Sequence, residues 1–532
     1  MRDVRRPCYP MSPKRTLVAF SLLVMVATIA CAADDPSLKL PRSTPEEQGV
    51  SSTALLGFVL DAEHKLDALN SFMLVRHGHV VAEGWWSPYA SDVPHTLYSL
   101  SKIFMSTAVG LAAAEGKLSL DDPILKFFPG EAPAIPSKNL SSMRVRDLLR
   151  MSTGQEGDFI NSDFRFDGMQ NLIRAFLELP VTNRPGTHFV YRDSSPYMLS
   201  AIVQKVTGQT VLDYLRPRLF EPLGISDPKW ETSAQGISLG GTGLSLRTED
   251  IAHIGQLYLQ RGQWRGRQLV PAAWVDAATS LQTSTGSDPR SDWDQGYGYF
   301  FWRCRHGFYR GDGALGQFCI VMPEFDAVLA ITSGDDQLQS ILDFVWERIL
   351  PAFKDSALPA DPESDRRLSE KLASLTLRTQ NGEATSPAVS KIVEKRFVFP
   401  ENEQQIESIE FEPEQKGANI TIIVRIAGND QRIVCGRGAW VKGTLAAEAA
   451  GLVPMAIKGV DTGGPGPIAI AASGAWSGDD TYTVKLCRYT TPYIWTYDLR
   501  FEDNKLILEG DNNLSRSSAG PGKIRLVGPA RP

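Results

Sequence analysis

The sequence predicts an α+β domain followed by a separate all-β domain. In the first part, two strand-like stretches precede a helical middle, and further strands and a helix follow, so distant segments must complete one antiparallel sheet. In the last part, apolar and polar residues alternate along several stretches, which is typical of half-buried strands. The 532 residues give room for about three to four domain equivalents, so one small module is excluded.

The first strands and the first buried helix can be located individually. A helical pattern runs to about His64 and is followed by the stretches Ser71–Arg76 and His79–Trp85, which the turn residues His77-Gly78 join as a hairpin. From Ser99 to Glu115 the chain is helix-like and mostly apolar. We expect this helix to be buried.

The middle of the first domain, residues 120–290, is mainly helical with long loops. Within it, Ser195 is expected to cap a helix, with Pro196 at the first helical position and Gly208 at the end. Residues 296–333 return to strands, and Gln337–Phe353 is helical. The first domain is therefore expected to span residues 40–353.

A change of pattern marks the second domain. Residues 354–390 begin with a proline-rich stretch and are interpreted as a linker. From about Lys391 apolar residues recur at every second position, as in Ile420–Ile426. Residues 391–532 are expected to form a β-rich domain, a small barrel or sandwich, that holds no catalytic constellation.

The N-terminus resembles a secretory signal peptide. Basic residues precede an apolar run from Leu17 to Ile29, and small residues around Ala32 follow. Residues 1–32 are therefore expected to be removed, which gives an exported, periplasmic or secreted protein without a spanning segment. A retained anchor, or lipid attachment at Cys31, is the alternative.

Charge and cysteine usage narrow the function classes. The formal net charge is −6, and part of the basic charge lies in the expected signal peptide, so nucleic-acid binding is not favoured. Four cysteines remain after removal of the signal peptide, too few for a disulfide scaffold. Cys304 and Cys319 lie on stretches that a further strand separates, so no bond between them is expected.

Ser99-Leu100-Ser101-Lys102 is the strongest candidate for chemistry. The spacing of three places both side chains on one helix face, so the lysine amine can reach the serine oxygen. In a dry pocket the lysine loses solvation of its charged form and can take or relay the serine proton. The alternative is a helix cap with Lys102 pointing outward. Ser226-Asp227-Pro228-Lys229 has the same spacing but no buried helix after it.

Two other chemistries receive little support. Gly236-Ile237-Ser238-Leu239-Gly240 fits a nucleophile elbow, but neither a preceding apolar strand nor a following helix is present in the pattern. His77 and His79 lie at a hairpin turn and lack the spacing of zinc ligands. No metal and no cofactor are expected.

Three ordered motifs together resemble those of the penicillin-recognising serine hydrolases, with the class C β-lactamase-like group closest. The motifs are Tyr98-Ser99-Leu100-Ser101-Lys102, Tyr191-Arg192-Asp193 and Gly311-Asp312-Gly313-Ala314-Leu315-Gly316-Gln317. The resemblance covers about residues 40–350 and implies a β-lactamase/transpeptidase-like fold, in which an antiparallel sheet is flanked by helices and joined by an all-helical subdomain.

The resemblance also implies roles for single residues. Ser99 would be the acyl-accepting nucleophile, Lys102 its proton partner, and Tyr191 a base or leaving-group acid, with Lys102 as the cation that lowers the tyrosine pKa. The backbone N–H groups of Ser99 and Ala314 would form the oxyanion hole. Asp193, Asp312 and Gly313 are the other expected contacts of the substrate or of the oxyanion.

Two departures from the motifs bear on the substrate. Asp193 stands where an Asn is usual, and Gly311 stands where a Lys or His is usual, with Arg310 one place earlier. The cation that would hold a substrate carboxylate is therefore absent or moved. This favours ester or amide hydrolysis, as in members that resemble 6-aminohexanoate-dimer hydrolase. The alternatives are β-lactamase or D-alanyl-D-alanine carboxypeptidase activity, and a non-catalytic binding protein that keeps the fold.

Overall fold

The computed structural model describes residues 38–66, 68–158, 171–413, 419–455, 466–514 and 523–531. The expected signal peptide, residues 1–32, and the possible lipid site Cys31 lie outside these ranges. Among the helices that are described, none has both the length and the apolar character needed to cross a membrane.

The N-terminal domain is built on a six-stranded antiparallel sheet with the order β2-β1-β11-β10-β9-β8. The strands of this domain, including the short pairs outside the sheet, are β1 (Leu69–Arg76), β2 (His79–Trp85), β3 (His95–Thr96), β4 (Lys229–Trp230), β5 (Leu244–Leu246), β6 (Gln263–Trp264), β7 (Arg267–Gln268), β8 (Trp302–Arg303), β9 (Tyr309–Gly313), β10 (Gln317–Met322) and β11 (Ala327–Ser333). The first hairpin pairs with β11 from the end of the domain, as the predicted α+β class requires.

Helices cover both faces of this sheet and fill the middle of the domain. They are α1 (Ser52–Lys65), α2 (Ser101–Ala114), α3 (Lys138–Ser142), α4 (Val145–Leu149), α5 (Leu172–Glu178), α6 (Ser194–Thr207), α7 (Val211–Leu215), α8 (Glu221–Leu223), α9 (Thr248–Leu259), α10 (Ala272–Thr279), α11 (Leu338–Arg348) and α12 (Pro362–Ala373). The short helix α13 (Val389–Ile392) belongs to the C-terminal domain, and its Ile392 lies in the core of that domain. On one face α1 and α11 pack together, where the rings of Phe58 and Phe344 stack with centroids 5.1 Å apart.

On the other face, α9 approaches the sheet closely and α2 lies in the centre of the domain. A Cβ at Gly255 of α9 would lie 2.5 Å from Val328 Cγ1 of β11, so only glycine allows this approach. In α2, every residue from Ser101 to Ala112 is buried, as the apolar pattern predicted. A helix that is apolar on all sides has to be surrounded by protein.

The start of α6 differs from the prediction. Asp193, not Ser195, is the residue before the helix, and Pro196 occupies its third position. The physical reason is that the Asp158 carboxylate accepts the N–H groups of Asp193 and Ser194 at 2.9 and 3.4 Å. A carboxylate from a distant loop thus satisfies the free donors that a serine cap would otherwise take. Gly208 ends the helix in the left-handed region, as expected.

The segment expected as a linker is partly structured. Helix α12 packs against α1 and β2, and Ser87 exchanges backbone hydrogen bonds with Leu375 and Leu377. Leu368 is the buried residue of α12, and most of the other side chains are polar or charged. A helix that buries only a narrow stripe of side chains needs few apolar residues. For this reason the sequence of α12 looks like that of a linker.

The C-terminal domain is a ten-stranded antiparallel sheet rolled into a nearly closed barrel, which confirms the predicted all-β domain. Its strands are β12 (Arg396–Val398), β13 (Ile406–Pro413), β14 (Ile420–Ile426), β15 (Asn429–Cys435), β16 (Val441–Leu445), β17 (Ile468–Trp476), β18 (Thr481–Cys487), β19 (Ile494–Glu502), β20 (Lys505–Asn512) and β21 (Ile524–Arg531). Their order is β15-β14-β13-β12-β21-β20-β19-β18-β17-β16. The sheet curls so that the chain after β15 contacts β17, the strand next to the other edge, where Gly436 O accepts a hydrogen bond from Gly474 N at 3.0 Å.

The barrel docks on the N-terminal domain beside the start of α2. Tyr89 Oη donates to Thr491 O at 2.8 Å, and Thr96 N donates to Thr490 O at 3.0 Å. Tyr98 packs in one buried cluster with Tyr493 of the barrel. The two domains therefore contact each other at residues that closely precede Ser99 in the chain.

The four cysteines that lie in the described ranges are buried and carry free thiols. Cys304 follows β8, Cys319 lies on β10, and β9 runs between these strands. The strands β8, β9 and β10 thus form a meander, the arrangement on which the predicted separation of the two thiols was based.

Candidate active site

Ser99 lies in a tight turn that leads directly into α2. Residues Tyr98–Leu100 form a 3-10 turn, and the α-helix proper starts at Ser101. Tyr98 has φ 47°, in the left-handed region that non-glycine residues rarely adopt. Ser99 itself is half-buried, so its hydroxyl remains within reach of a substrate while the helix behind it is fixed in the core.

Lys102 makes the contact that the spacing predicts. Its Nζ donates to Ser99 Oγ at 2.8 Å, to Asp193 Oδ1 at 2.6 Å and to Gly241 O at 3.0 Å. The side chain is only 1% exposed. The outward-pointing alternative is therefore wrong. Because all three N–H donors of an ammonium group have acceptors, the arrangement suits the charged form of the lysine in the resting site.

Tyr191 lies against this pair but differs from the expectation in its protonation. The Lys102 Nζ is 4.8 Å from the centre of its ring, and its ring stacks on Trp302 with centroids 5.8 Å apart. Burial, with the nearby carboxylates of Asp193 and Asp312, raises the pKa of Tyr191 well above its usual value, and a hydrogen bond with Ser99 opposes this only in part. The expected lowering of its pKa by Lys102 is wrong, because burial raises the pKa and the two carboxylates add to that rise.

Asp193 is more than a replacement for the usual amide. Its carboxylate forms an ion pair with Lys102, and its side chain is 40% exposed while that of Lys102 is 1% exposed. The backbone of Asp193 is held in turn by Asp158. Sequence reasoning missed Asp158, because an acidic residue in a loop gives no periodic or spacing signal, and only the tertiary contact with α6 shows its role.

The third motif lies at the site, but Asp312 of this motif forms an ion pair with the neighbouring Arg310. Arg310 is fully buried, and its Nε and Nη2 donate to Asp312 Oδ2 at 3.1 and 2.9 Å. Its Nη1 donates to Asp292 O at 2.8 Å, and the guanidinium lies 4.4 Å from the ring centre of Trp293. Burial raises the pKa of Asp312, and the Arg310 guanidinium opposes that rise only in part. The Arg310 charge is therefore not free for a substrate carboxylate, and the expected contact of Asp312 with the substrate or the oxyanion stays a prediction.

Gly311 leaves no space for the usual cation. A Cβ at this position would lie 2.5 Å from Ile103 Cγ2 and 2.7 Å from Leu100 Cδ1. A lysine or histidine side chain could not fit without moving α2 away from β9. The missing cation is thus a consequence of how closely helix and strand approach.

Gly313 brings the backbone of Ala314 beside Ser99. A Cβ at Gly313 would lie 2.2 Å from Leu97 O and 3.2 Å from Ser99 N. Strand β9 and the turn before α2 therefore touch backbone to backbone. This backbone contact favours the Ser99 and Ala314 N–H groups as an oxyanion hole, which stays a prediction.

The rival motifs do not form comparable sites. The Lys229 side chain is 61% exposed and lies 3.7 Å from Asp227 in a loose surface pair. Ser238 forms an isolated bridge with Thr232 and no helix follows it. His77 is exposed and its Nδ1 lies 3.1 Å from Gln48 Oε1. Within the described ranges, no group of His, Cys, Asp or Glu side chains has the arrangement of a metal site.

Comparisons with known proteins agree with these motifs. The family described as Beta-lactamase matches residues 67–352. The 6-aminohexanoate-dimer hydrolase of Paenarthrobacter ureafaciens is 25% identical over 332 residues, which cover 58% of this chain and 83% of that protein. Penicillin-binding protein 4 of Amycolatopsis lactamdurans is 29% identical over 160 residues, which cover 30% of this chain and 39% of that protein.

A solved structure is similar over much of the chain. The octameric penicillin-binding protein homologue from Pyrococcus abyssi is 16% identical, with a TM-score of 0.46, and the match covers 89% of this chain and 99% of that one. The family match alone spans more than half of the chain. The chain therefore belongs to the β-lactamase family and is a serine hydrolase.

Proposed function

We propose that this protein hydrolyses an ester or an amide through an acyl-enzyme on Ser99. The observation that carries the proposal is the contact of Ser99 Oγ with Lys102 Nζ at 2.8 Å, inside a pocket that also holds Tyr191. A serine at the exposed end of a buried helix, with a buried lysine in contact, fits the nucleophile-and-base arrangement of covalent catalysis.

The protons can be followed through the reaction. When Lys102 is in its neutral form, Ser99 Oγ bonds to the substrate carbonyl carbon and its proton moves to Lys102 Nζ. The N–H groups of Ser99 and Ala314 receive the resulting oxyanion. Tyr191 gives its phenol proton to the leaving oxygen or nitrogen as the bond to carbon breaks, and takes a proton back from Lys102. In the second half of the reaction, water bonds to the acyl carbon and gives a proton to the neutral Lys102 Nζ, which passes a proton to Ser99 Oγ as the acyl–oxygen bond breaks.

The raised pKa of Tyr191 favours the role of acid over that of base. A phenol that keeps its proton at neutral pH can donate it to a leaving group, whereas it cannot accept the serine proton. We therefore assign the base role to Lys102 alone.

The state of the third motif favours substrates without a carboxylate next to the scissile bond. Arg310 is enclosed by Asp312 and Trp293, and Gly311 contacts Ile103 where the usual cation would stand. β-Lactams and D-alanyl-D-alanine peptides both carry such a carboxylate. Esters and neutral amides do not require the missing cation.

A fluorophosphonate probe on the purified protein tests the nucleophile. We expect covalent labelling of the wild type, none of Ser99→Ala, and normal labelling of Ser226→Ala, which removes the serine of the other Ser-x-x-Lys sequence. Labelling that survives in Ser99→Ala would refute the assignment. A panel of p-nitrophenyl esters, short amides and nitrocefin then ranks the substrate classes, and preference for nitrocefin would favour the β-lactamase alternative.

We also propose that the protein is exported, in the periplasm or outside the cell. The support is the basic and apolar pattern of residues 1–32. N-terminal sequencing of the mature protein should start near Ala33. A start at Met1 would contradict export by this signal.

A further inference from the structure

The cap of α6 and the partner of Lys102 come from two different aspartates. Asp193 immediately precedes the helix, at the position where an aspartate usually accepts hydrogen bonds from the backbone N–H groups of the first turn. Its side chain makes no such bond, and Asp193 Oδ1 instead accepts from Lys102 Nζ at 2.6 Å. Asp158 Oδ2 supplies the cap, since it accepts from Asp193 N at 2.9 Å and from Ser194 N at 3.4 Å.

The short segment that carries Asp158 is itself bound to the second motif. The Arg192 side chain is buried, and its Nη1 donates to Gly157 O. Burial lowers the pKa of Arg192, and the nearby Asp158 carboxylate opposes this lowering. Residues 157 and 158 are therefore held by the residue before Asp193 as well as by the backbone of Asp193 itself.

Loss of the Asp158 carboxylate would put the two tasks of Asp193 in competition. The first N–H groups of a helix have no partner within the helix, and the side chain at the position before the helix is placed to accept from the second or third of them. The third residue of α6 is Pro196, which has no N–H. Without Asp158, Asp193 would therefore turn towards Ser195 N and away from Lys102 Nζ.

We infer that Asp158 is a positioning residue for proton transfer: by capping α6 it leaves the Asp193 carboxylate to Lys102, and so it sets the pH at which the lysine becomes a neutral base. This inference rests on the proposed function. Within the described ranges, the titratable side chains that face Lys102 are Asp193 from the start of α6, Asp312 from β9 and Tyr191. Asp158 acts on this group through the backbone of Asp193.

The pH dependence of fluorophosphonate labelling tests the inference without a known substrate. Asp158→Asn and Asp158→Ala both remove the negative charge, but only the asparagine keeps an oxygen that can accept from the two N–H groups. We expect the acid limb of the labelling rate in Asp158→Ala to lie at least about half a pH unit below that in Asp158→Asn, because the attraction between Asp193 and Lys102 weakens as their distance grows. Equal limbs in the two variants would overturn the inference.

The same two variants in an Asp193→Asn background show whether Asp158 acts through Asp193. Once the charge at position 193 is lost, its distance from Lys102 no longer affects the lysine charge, so the two limbs should coincide. A difference that persists in this background would also overturn the inference.

Asp361→Ala is the matched control for the loss of a helix cap. Asp361 caps α12 by accepting from Ser364 N at 3.1 Å, and its loss should leave the acid limb at the wild-type position. A limb that moves in this variant as well would assign the shift to lost stability and would overturn the inference.

The readout separates a shift of the limb from a loss of folded protein. The limb is read from the rate constant of the folded protein, so a smaller folded fraction lowers the labelled amount and leaves the limb in place. Where Asp158→Ala does not fold, Asp158→Ser replaces it with the same expected limb, because the serine side chain is too short to reach both N–H groups. A folded wild type that is not labelled would refute the proposed function, whereas labelling at Ser99 with equal limbs refutes this inference alone.

Discussion

Asp193→Asn separates the charge of this side chain from its hydrogen bond. The amide oxygen of Asn can still accept from Lys102 Nζ, but the negative charge 2.6 Å away is lost. The carboxylate stabilises the protonated lysine, and a protonated lysine cannot take the serine proton. Removing the charge should therefore make the reactive, neutral amine available at lower pH.

The size of the effect follows from the geometry. At 2.6 Å, Coulomb's law gives about 1.6 kcal/mol in bulk water and about 6 kcal/mol at an effective dielectric constant of about 20. The side chain of Lys102 is 1% exposed and that of Asp193 is 40% exposed, so the pair is only partly solvated and the value for water is the lower bound. This lower bound corresponds to about one pH unit.

The assay is the pH dependence of kcat/KM on a p-nitrophenyl ester. We expect the acid limb in Asp193→Asn to lie at least about one pH unit lower, with a plateau close to that of the wild type. Asp193→Ala is the matched control, because it loses the acceptor as well as the charge and should lower the plateau too. An unmoved limb would refute the reasoning, and an inactive Asp193→Asn with normal folding would show that the carboxylate itself takes part in proton transfer.

Four further outcomes are expected. Lys102→Ala, Tyr191→Phe and the double variant should lose activity non-additively, because each change alone already interrupts proton transfer; additive losses in kcat would contradict this. Since the pKa of Tyr191 is raised well above its usual value near 10, the phenol keeps its proton across the alkaline range, so the pH–rate plateau should extend to pH 10; an alkaline limb below pH 10 in wild-type protein that circular dichroism shows to be folded would contradict this. Arg310→Met should lower the free energy of unfolding by about 3–5 kcal/mol because it leaves Asp312 buried and unpaired, and Arg310→Met/Asp312→Leu should recover much of this in urea titrations. A chain ending near Leu350 should fold less stably by circular dichroism and label more slowly with the fluorophosphonate, because the apolar surface around Tyr98 becomes exposed; labelling at the wild-type rate would show that the barrel is dispensable for chemistry.

The sequence could predict those parts of the molecule that depend on local pattern. The apolar run after Ser99 had to be a central helix, and the spacing to Lys102 put the two side chains in contact because a helix repeats every 3.6 residues. The alternation in Ile420–Ile426 likewise fixed the type of the second domain. These conclusions need only the geometry of a single element.

The parts that were missed depend on contacts between distant segments. Asp158 holds the start of α6 from a separate loop, and nothing in the local sequence near Asp193 shows it. The direction of the Tyr191 pKa shift was predicted wrongly because the motifs do not show that the phenol is buried. They also do not show that the carboxylates of Asp193 and Asp312 both lie near the phenol, which the fold establishes by bringing β9 and the start of α6 together.

The geometry around the nucleophile is a property of both domains. Tyr98 adopts φ 47°, which costs an L-residue about 1–2 kcal/mol relative to a right-handed conformation. A conformation of that cost persists only where the surroundings hold it, and here the ring is enclosed by Tyr493 and Leu514 of the barrel. Those contacts hold the turn that presents Ser99 Oγ to Lys102 and Ser99 N to the Gly313 backbone. The barrel thus supports the position of the nucleophile even though it contributes no group to proton transfer.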